Sequence, residues 1–385
     1  MQTTNMTKPI YLDYNATTPI APQVVEAMLP YLYQDFGNPS SSHVYGVRAK
    51  MAVEQARTQV AELLGSAEDE ILFTSGGSES NNHAILGVAY ARRDQGKHII
   101  TSAIEHPAVT EVCRALEHEG YHITYLPVDA SGIIDLGMLQ KSLSSQTILV
   151  TIMHANNEVG VIQPIAEIAE LAHRAGALMH SDCAQSVGKI PVRVDELGVD
   201  LLTVAGHKIY APKGIGCLYI RKGVSLNKLI HGASHERGLR AGTENVPSIV
   251  GLGEACAMIG QDLQIHQDKL RELRDLLERG LCERCDIRIH AQDAPRLPNT
   301  SSIGFRNLSN LLPKLHPKIA ASAGAACHGS GGVSISNTLQ AMDVPREYAI
   351  GTIRFSVGRY TTQQEIEQAI EITSQIVAQS HLTTD

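Results

Sequence analysis

Short runs rich in β-branched and other apolar residues punctuate the chain between about residue 70 and about residue 220. They fall at 71–74, 98–101, 123–128, 147–153, 178–182, 201–205 and 216–220, separated by longer segments such as 79–93, 108–120 and 165–175 with helix-like spacing. Runs that stay apolar rather than alternate suit strands covered on both faces. Strand–helix alternation at this spacing predicts an α/β architecture with a mostly parallel sheet of seven strands. Right-handed crossovers then bring the strand C-terminal ends, and any ligand, to one edge.

Beyond residue 260 the pattern changes. Leu263, Leu270, Leu273, Leu277 and Leu281 recur near helical spacing within a strongly charged stretch, which predicts one long amphipathic helix. Strands at 300–305 and 352–357 and a closing helix at 363–379 follow. This predicts a large domain over 13–258 and a smaller α+β domain over 259–385 that residues 1–12 rejoin, with the boundary near 255–262. The glycine-rich stretch 324–332 reads as a mobile loop.

Composition narrows the function classes. The 385 residues are 43% hydrophobic and 19% charged, as in an ordinary globular protein. Thirty-two Lys and Arg against 40 Asp and Glu give a formal charge of −8 with no basic block, which argues against nucleic-acid binding. No apolar run approaches the ~18 residues of a membrane span, and the N-terminus lacks a charged-then-apolar leader pattern, so a cytoplasmic protein is expected. Seven scattered cysteines, an odd number, point to reduced thiols rather than a disulfide framework. Cys282 and Cys285 have CxxC spacing but no second pair or histidine partner, so no metal site is expected.

Four segments can carry chemistry. Ser75-Gly76-Gly77-Ser78 lies between a strand and a helix, where glycines and free helix-start N–H groups suit an anion. Asp182 ends the strand 178–182; such an acid can keep a pyridine nitrogen protonated, and a structural cap is the alternative. Lys208 follows the strand 201–205 before a glycine-rich turn, a place suited to Schiff-base formation if its pKa is lowered. Cys327 sits among small residues that would let a thiol travel, with His328 as a neighbour able to activate it.

Taken in order, the motifs resemble the NifS-like cysteine desulfurases and selenocysteine lyases, within the class V, fold-type I pyridoxal-phosphate enzymes. The resemblance runs from Tyr11-Leu12-Asp13-Tyr14-Asn15-Ala16-Thr17-Thr18 through Glu105-His106, His154-Ala155-Asn156-Asn157-Glu158, Gly206-His207-Lys208 and Arg237-Gly238-Leu239-Arg240-Ala241-Gly242-Thr243 to Arg354-Phe355-Ser356. It implies pyridoxal 5'-phosphate bound covalently by Lys208, with Asp182 on the ring nitrogen, Gln185 on the phenolic oxygen and His106 stacked on the ring, where it can shuttle protons. Gly77, Ser78 and His207 would hold the phosphate, joined by Thr243 from a partner subunit, hence a homodimer. Ala205 stands where many desulfurases have a phosphate-binding serine, so only its backbone could serve. Asn157 and Arg354 would bind the substrate carboxylate. The implied reaction converts L-cysteine to L-alanine and leaves the sulfur on Cys327 as a persulfide, for an acceptor protein in iron–sulfur cluster or thio-cofactor assembly. The segments 242–245, 296–300 and 321–328 look more like selenocysteine lyases, which makes L-selenocysteine an alternative substrate. A C–S lyase that gives pyruvate is a further alternative.

Overall fold

The computed structural model describes residues 8–328 and 332–382, with backbone alone at 325–328, 332–334 and 381–382. Ile10–Tyr11 (β1) is followed by two helices that the alternation does not announce, Pro22–Tyr33 (α1) and Val44–Leu64 (α2). The main sheet is built from Ile71–Thr74 (β2), His98–Ser102 (β3), His122–Leu126 (β4), Thr147–Thr151 (β5), Leu178–Asp182 (β6), Leu201–Ala205 (β7) and Gly216–Ile220 (β8). Its order is β2-β8-β7-β6-β5-β3-β4, parallel throughout except that β8 runs against both neighbours. All seven expected strands are present. β4 stops at Leu126 because Pro127 has no N–H to extend the ladder.

Alternate residues of each strand feed opposite faces. Ile71 and Phe73 of β2, with Leu202 and Val204 of β7, join a core against α2 and the helix Val246–Cys282. Leu72 and Leu201 point the other way, into a core with Ile85 and Val88 of Gly77–Ala91 (α3) and Val109 and Leu116 of Pro107–His118 (α4). The sheet is therefore covered on both sides, the condition under which parallel strands read as continuous apolar runs. Inside it, His180 bridges three strands: Nδ1 lies 2.8 Å from Thr151 Oγ1 and Nε2 3.1 Å from Thr203 Oγ1. Burial pushes this imidazole down to about 3, so it stays neutral and acts as a cross-strand tie.

The long helix starts at Val246, well before the leucine stripe that predicts it. It runs to Cys282 and departs from helical geometry only at Asp262. There Arg359 grips the Asp262 carboxylate with both Nη atoms, at 2.6 and 2.8 Å. Its second half buries Leu270, Leu273, Leu277 and Leu281 in another core with Leu12, Ile303, Phe305, Ile353, Phe355 and Ile366. This core lies on a sheet of Ile287–Ile289 (β9), Thr300–Phe305 (β10), Ser322–Ala323 (β12) and Thr352–Ser356 (β15), in the order β12-β15-β10-β9. β1 pairs with Ile319–Ala320 (β11).

One expectation is corrected. The stretch 324–332 is not simply a loop: Ala325–His328 (β13) pairs antiparallel with Gly332–Ile335 (β14), Cys327 opposite Val333. Val333 and Ile335 supply strand propensity that the many glycines concealed. Among the described residues no helix is long and apolar enough to cross a membrane.

Candidate active site

The C-terminal ends of β2, β3, β5, β6 and β7 open onto one cavity of about 330 Å³. It is lined by Asn15, Ala16, Gly77, Ser78, Asn81, His106, Ala108, Met153, Ala155, Asn157, Asp182, Ala184, Gln185, Ala205, His207, Lys208 and Arg354. A wider depression of about 850 Å³, around Arg57, Arg193 and Arg237, contains none of these side chains.

Local rules set each group in place. α3 begins right after Gly76, whose φ of 146° suits glycine, and the Glu79 carboxylate accepts from Ser75 N at 2.8 Å to close the turn. The first N–H groups of this 15-residue helix, at Gly77 and Ser78, therefore border the cavity at a positive dipole end. Across the sheet, Asp182 ends β6. Its Oδ1 accepts from Ala184 N at 2.9 Å and its Oδ2 from Asn81 Nδ2 at 2.7 Å. Two donors on the carboxylate hold it in one orientation.

Lys208 follows β7 on a short 3-10 turn, and its Nζ donates to Asn15 O at 2.6 Å and Ala16 O at 2.8 Å. Burial first, then Arg354, lowers its pKa from 10.5 to about 8, against the opposing pull of Asp13 and Asp182. An amine that titrates there is partly nucleophilic at neutral pH. His207 lies 3.2 Å from Thr17 Oγ1, and burial with the nearby lysines lowers it to about 4, so it is neutral. His106 accepts from Ala108 N at 3.1 Å through Nδ1, which assigns the ring hydrogen of the neutral form to Nε2. Desolvation lowers its pKa, Asp182 opposes this and Lys208 adds to it.

Arg354 comes from β15 of the smaller sheet. Its Nη1 donates to Asn157 O and its Nη2 to Asp13 Oδ1, each at 2.8 Å, while its Nε is buried without a partner. Ser322 Oγ donates to the same Asp13 oxygen at 2.8 Å. A guanidinium with an unsatisfied buried donor beside a cavity is arranged for an anionic ligand.

The structure thus brings together Gly77, Ser78, His106, Asn157, Asp182, Gln185, Ala205, His207, Lys208 and Arg354. Two expected members are not among the lining. Thr243 is exposed and does not border this chain's own cavity. Cys327 lies on β13, and its side chain is outside the described residues. Sequence reasoning missed Asn81, Asn15, Asp13 and Lys189. Asn81 carried a signal, since it lies one helical turn after Gly77, on the face that starts at the cavity. Among the described residues no group of acidic, histidine or cysteine side chains is placed to hold a metal ion, and the six described cysteines are free thiols.

A lysine, an aspartate and a helix start thus converge at the edge of a seven-stranded sheet. The chain belongs to the class-V aminotransferase family, whose profile matches residues 10–369. Within it the chain is 46% identical over 376 residues to a cysteine desulfurase IscS of Dictyoglomus turgidum, which covers 97% of this chain and 95% of that one. It is 48% identical over 372 residues to a cysteine desulfurase of Trichormus azollae, at 96% and 92% coverage. Among solved structures, a NifS-like protein superposes with a TM-score of 0.90 at 37% identity, covering 96% of this chain and all (100%) of that one. SspA in complex with cysteine gives 0.81 at 36% identity, with 91% and 99% coverage.

Proposed function

We propose that the protein is a pyridoxal-5'-phosphate-dependent cysteine desulfurase that converts L-cysteine to L-alanine and takes the sulfur onto Cys327. The observation that carries this reading is the convergence of Lys208, Asp182 and Arg354 on one cavity. The donor set fits the cofactor. The N–H groups at Gly77 and Ser78, with His207 and the backbone at Ala205, suit a phosphate; Asp182 suits a pyridinium, Gln185 a phenolic oxygen, and His106 a ring face. Lys208 has the lowered pKa that covalent attachment to an aldehyde requires.

When bound, the cofactor supplies an electron sink for charge developing at the substrate Cα. The chain's own residues do the rest. Arg354, with Asn157, binds the substrate carboxylate through the face on which Nε is unsatisfied. Lys208 Nζ, held between two backbone carbonyls, takes the Cα proton. His106 Nε2 is placed to move a proton at the cavity wall. The Cys327 thiol receives the substrate sulfur, so that L-cysteine and enzyme thiol become L-alanine and enzyme persulfide with no external oxidant or reductant. The persulfide then serves an acceptor protein, for iron–sulfur cluster or thio-cofactor assembly, in a reducing cytoplasm.

We also propose that residues 13–258 form the cofactor domain and that 259–385, with 1–12, form the domain carrying Cys327. A homodimer is supported by an exposed apolar surface on α1, α2 and the turn between them, including Leu32, Tyr33, Phe36, Val44, Tyr45 and Met51. Thr243, unused in its own cavity, is free to serve a second copy.

The test is incubation of the purified yellow protein with L-cysteine, followed by identification of the products and mass analysis of the Cys327 peptide. Alanine and a peptide heavier by one sulfur are expected, and Cys327→Ser should lose both. Pyruvate as the product, or full turnover by Cys327→Ser, would overturn the assignment. L-Selenocysteine in parallel ranks the two substrates by kcat/KM.

A further inference from the structure

Lys189 carries a buried amine that the reaction as described does not use. It is 5% exposed and lies on the turn after β6, four residues beyond Gln185, and among the described residues it forms no ion pair with a carboxylate. Its Nζ instead donates to Gln185 Oε1 at 2.7 Å. Gln185 Nε2 in turn donates to Asn15 O at 3.0 Å, and Asn15 O also accepts from Lys208 Nζ at 2.6 Å. An unbroken chain of contacts thus links Lys189 to the amine at the centre of the site.

An amide side chain can occupy its place in two orientations related by a flip, and only its partners decide between them. Protonated, Lys189 has only donors to offer, so a flipped Gln185 would set NH₂ against NH₃⁺. Neutral, its nitrogen lone pair can accept from a flipped amide, so in that form the Asn15 end carries the preference. At the other end, a flip would set the amide oxygen against the Asn15 carbonyl oxygen. The Asn15 carbonyl and a protonated Lys189 therefore favour the same orientation, with Oε1 turned to Lys189 and one N–H of Nε2, beyond that given to Asn15 O, left on a residue that lines the cavity.

We infer that Lys189 is a positioning residue that locks the Gln185 amide so that an N–H donor, not a carbonyl oxygen, faces the bound cofactor. The inference rests on the cofactor reading above. A donor at the phenolic oxygen withdraws its electron density, so losing that donor raises the pH at which the cofactor's visible band titrates.

The experiment is a pH titration of the visible band in purified holoenzyme for wild type, Lys189→Met, Lys189→Arg, Gln185→Leu and the Lys189→Met/Gln185→Leu double variant, with thermal unfolding of each apoprotein. Gln185→Leu is expected to move the midpoint up by about one pH unit, the scale of one hydrogen bond to an ionised group, and Lys189→Met, which leaves Asn15 O as the remaining partner that favours the orientation, by part of that. The double variant should move it no further than Gln185→Leu alone, and Lys189→Arg, which keeps the donors, should restore most of the shift. The double variant replaces a polar contact with two apolar side chains, so it stays informative if Lys189→Met alone does not fold. An unmoved midpoint in Lys189→Met, or a double variant shifted beyond Gln185→Leu, would overturn the inference. A wild-type protein without a visible band would instead overturn the cofactor reading. The apoprotein stabilities would then decide the pair, additive effects of the two substitutions refuting the Lys189–Gln185 lock.

Discussion

The Lys208 amine offers the most direct check of the site's electrostatics. Its fall from 10.5 to about 8 has burial as its first cause and Arg354 as its second, with Asp13 and Asp182 opposing. Near pH 7.5, an amine that titrates at about 8 is roughly one-quarter unprotonated, against ~0.1% for an ordinary lysine. That is a gain on the order of 200-fold in nucleophilic amine, and the fall from 10.5 to about 8 itself corresponds to about 3.4 kcal/mol of preference for the neutral form. The assay is reductive ¹³C-methylation of the apoprotein followed by NMR titration, with the Lys208 resonance identified by its loss in Lys208→Arg. Wild type should titrate near 8. Arg354→Met removes a cation and should raise the midpoint, whereas Asp13→Asn removes an anion and should lower it. A wild-type midpoint near 10.5, or opposite signs in the two variants, would refute the account.

Glu105 is buried. Desolvation raises it from 4.5 to about 8, and the donors Ser102 Oγ and Met153 N only partly offset this. A carboxyl raised on folding binds a proton that the unfolded chain has released, so its contribution to stability falls as pH rises from about 4.5 to about 8. Glu105→Gln should flatten that slope, by up to about 5 kcal/mol across the window, in denaturant unfolding at several pH values. Arg57 and Glu236 form a buried two-pronged ion pair at 2.8 and 3.0 Å, and Glu236 also accepts from Phe73 N. Arg57→Met strands that carboxylate and should cost about 3–5 kcal/mol, most of it recovered in Arg57→Met/Glu236→Gln, as measured by unfolding. Arg354→Gln should lower kcat/KM for L-cysteine by roughly a hundredfold or more through the lost carboxylate contact, with the Lys208–cofactor absorbance retained.

The main sheet was legible because each strand is buried on both faces and so appears as a short continuous apolar run. β6 and β7 match their expected limits to the residue. The start of the long helix was not legible, because Val246, Ile249, Leu252, Cys256 and Ile259 lie among other buried positions that leave no clean polar face to mark a period. In the site, Lys208 and Asp182 could be placed from strand ends alone. Their partners could not: Asn81 is 101 residues from Asp182, and Asp13 is 341 from Arg354. Such pairings depend on how the chain closes in space, and local pattern carries no record of them. Lys189 escaped notice because in sequence a lysine reads as a solvated charge, and only the packed structure shows it enclosed.

The path of the chain between its two main cores has a practical consequence for dissecting the protein. Leu12 belongs to the core of the second half, and three residues later Asn15 supplies the carbonyl oxygen on which Lys208 and Gln185 converge. The helix Val246–Cys282 crosses back the other way, its one departure from helical geometry falling at Asp262. A fragment cut near residue 260 would therefore lack β1 and Leu12 on one side and keep them, without a partner strand, on the other. For either core to close after such a cut, residues 8–15 would have to reach from the N-terminal piece onto the C-terminal one, because that short segment is shared between the wall of one core and the floor of the catalytic cavity.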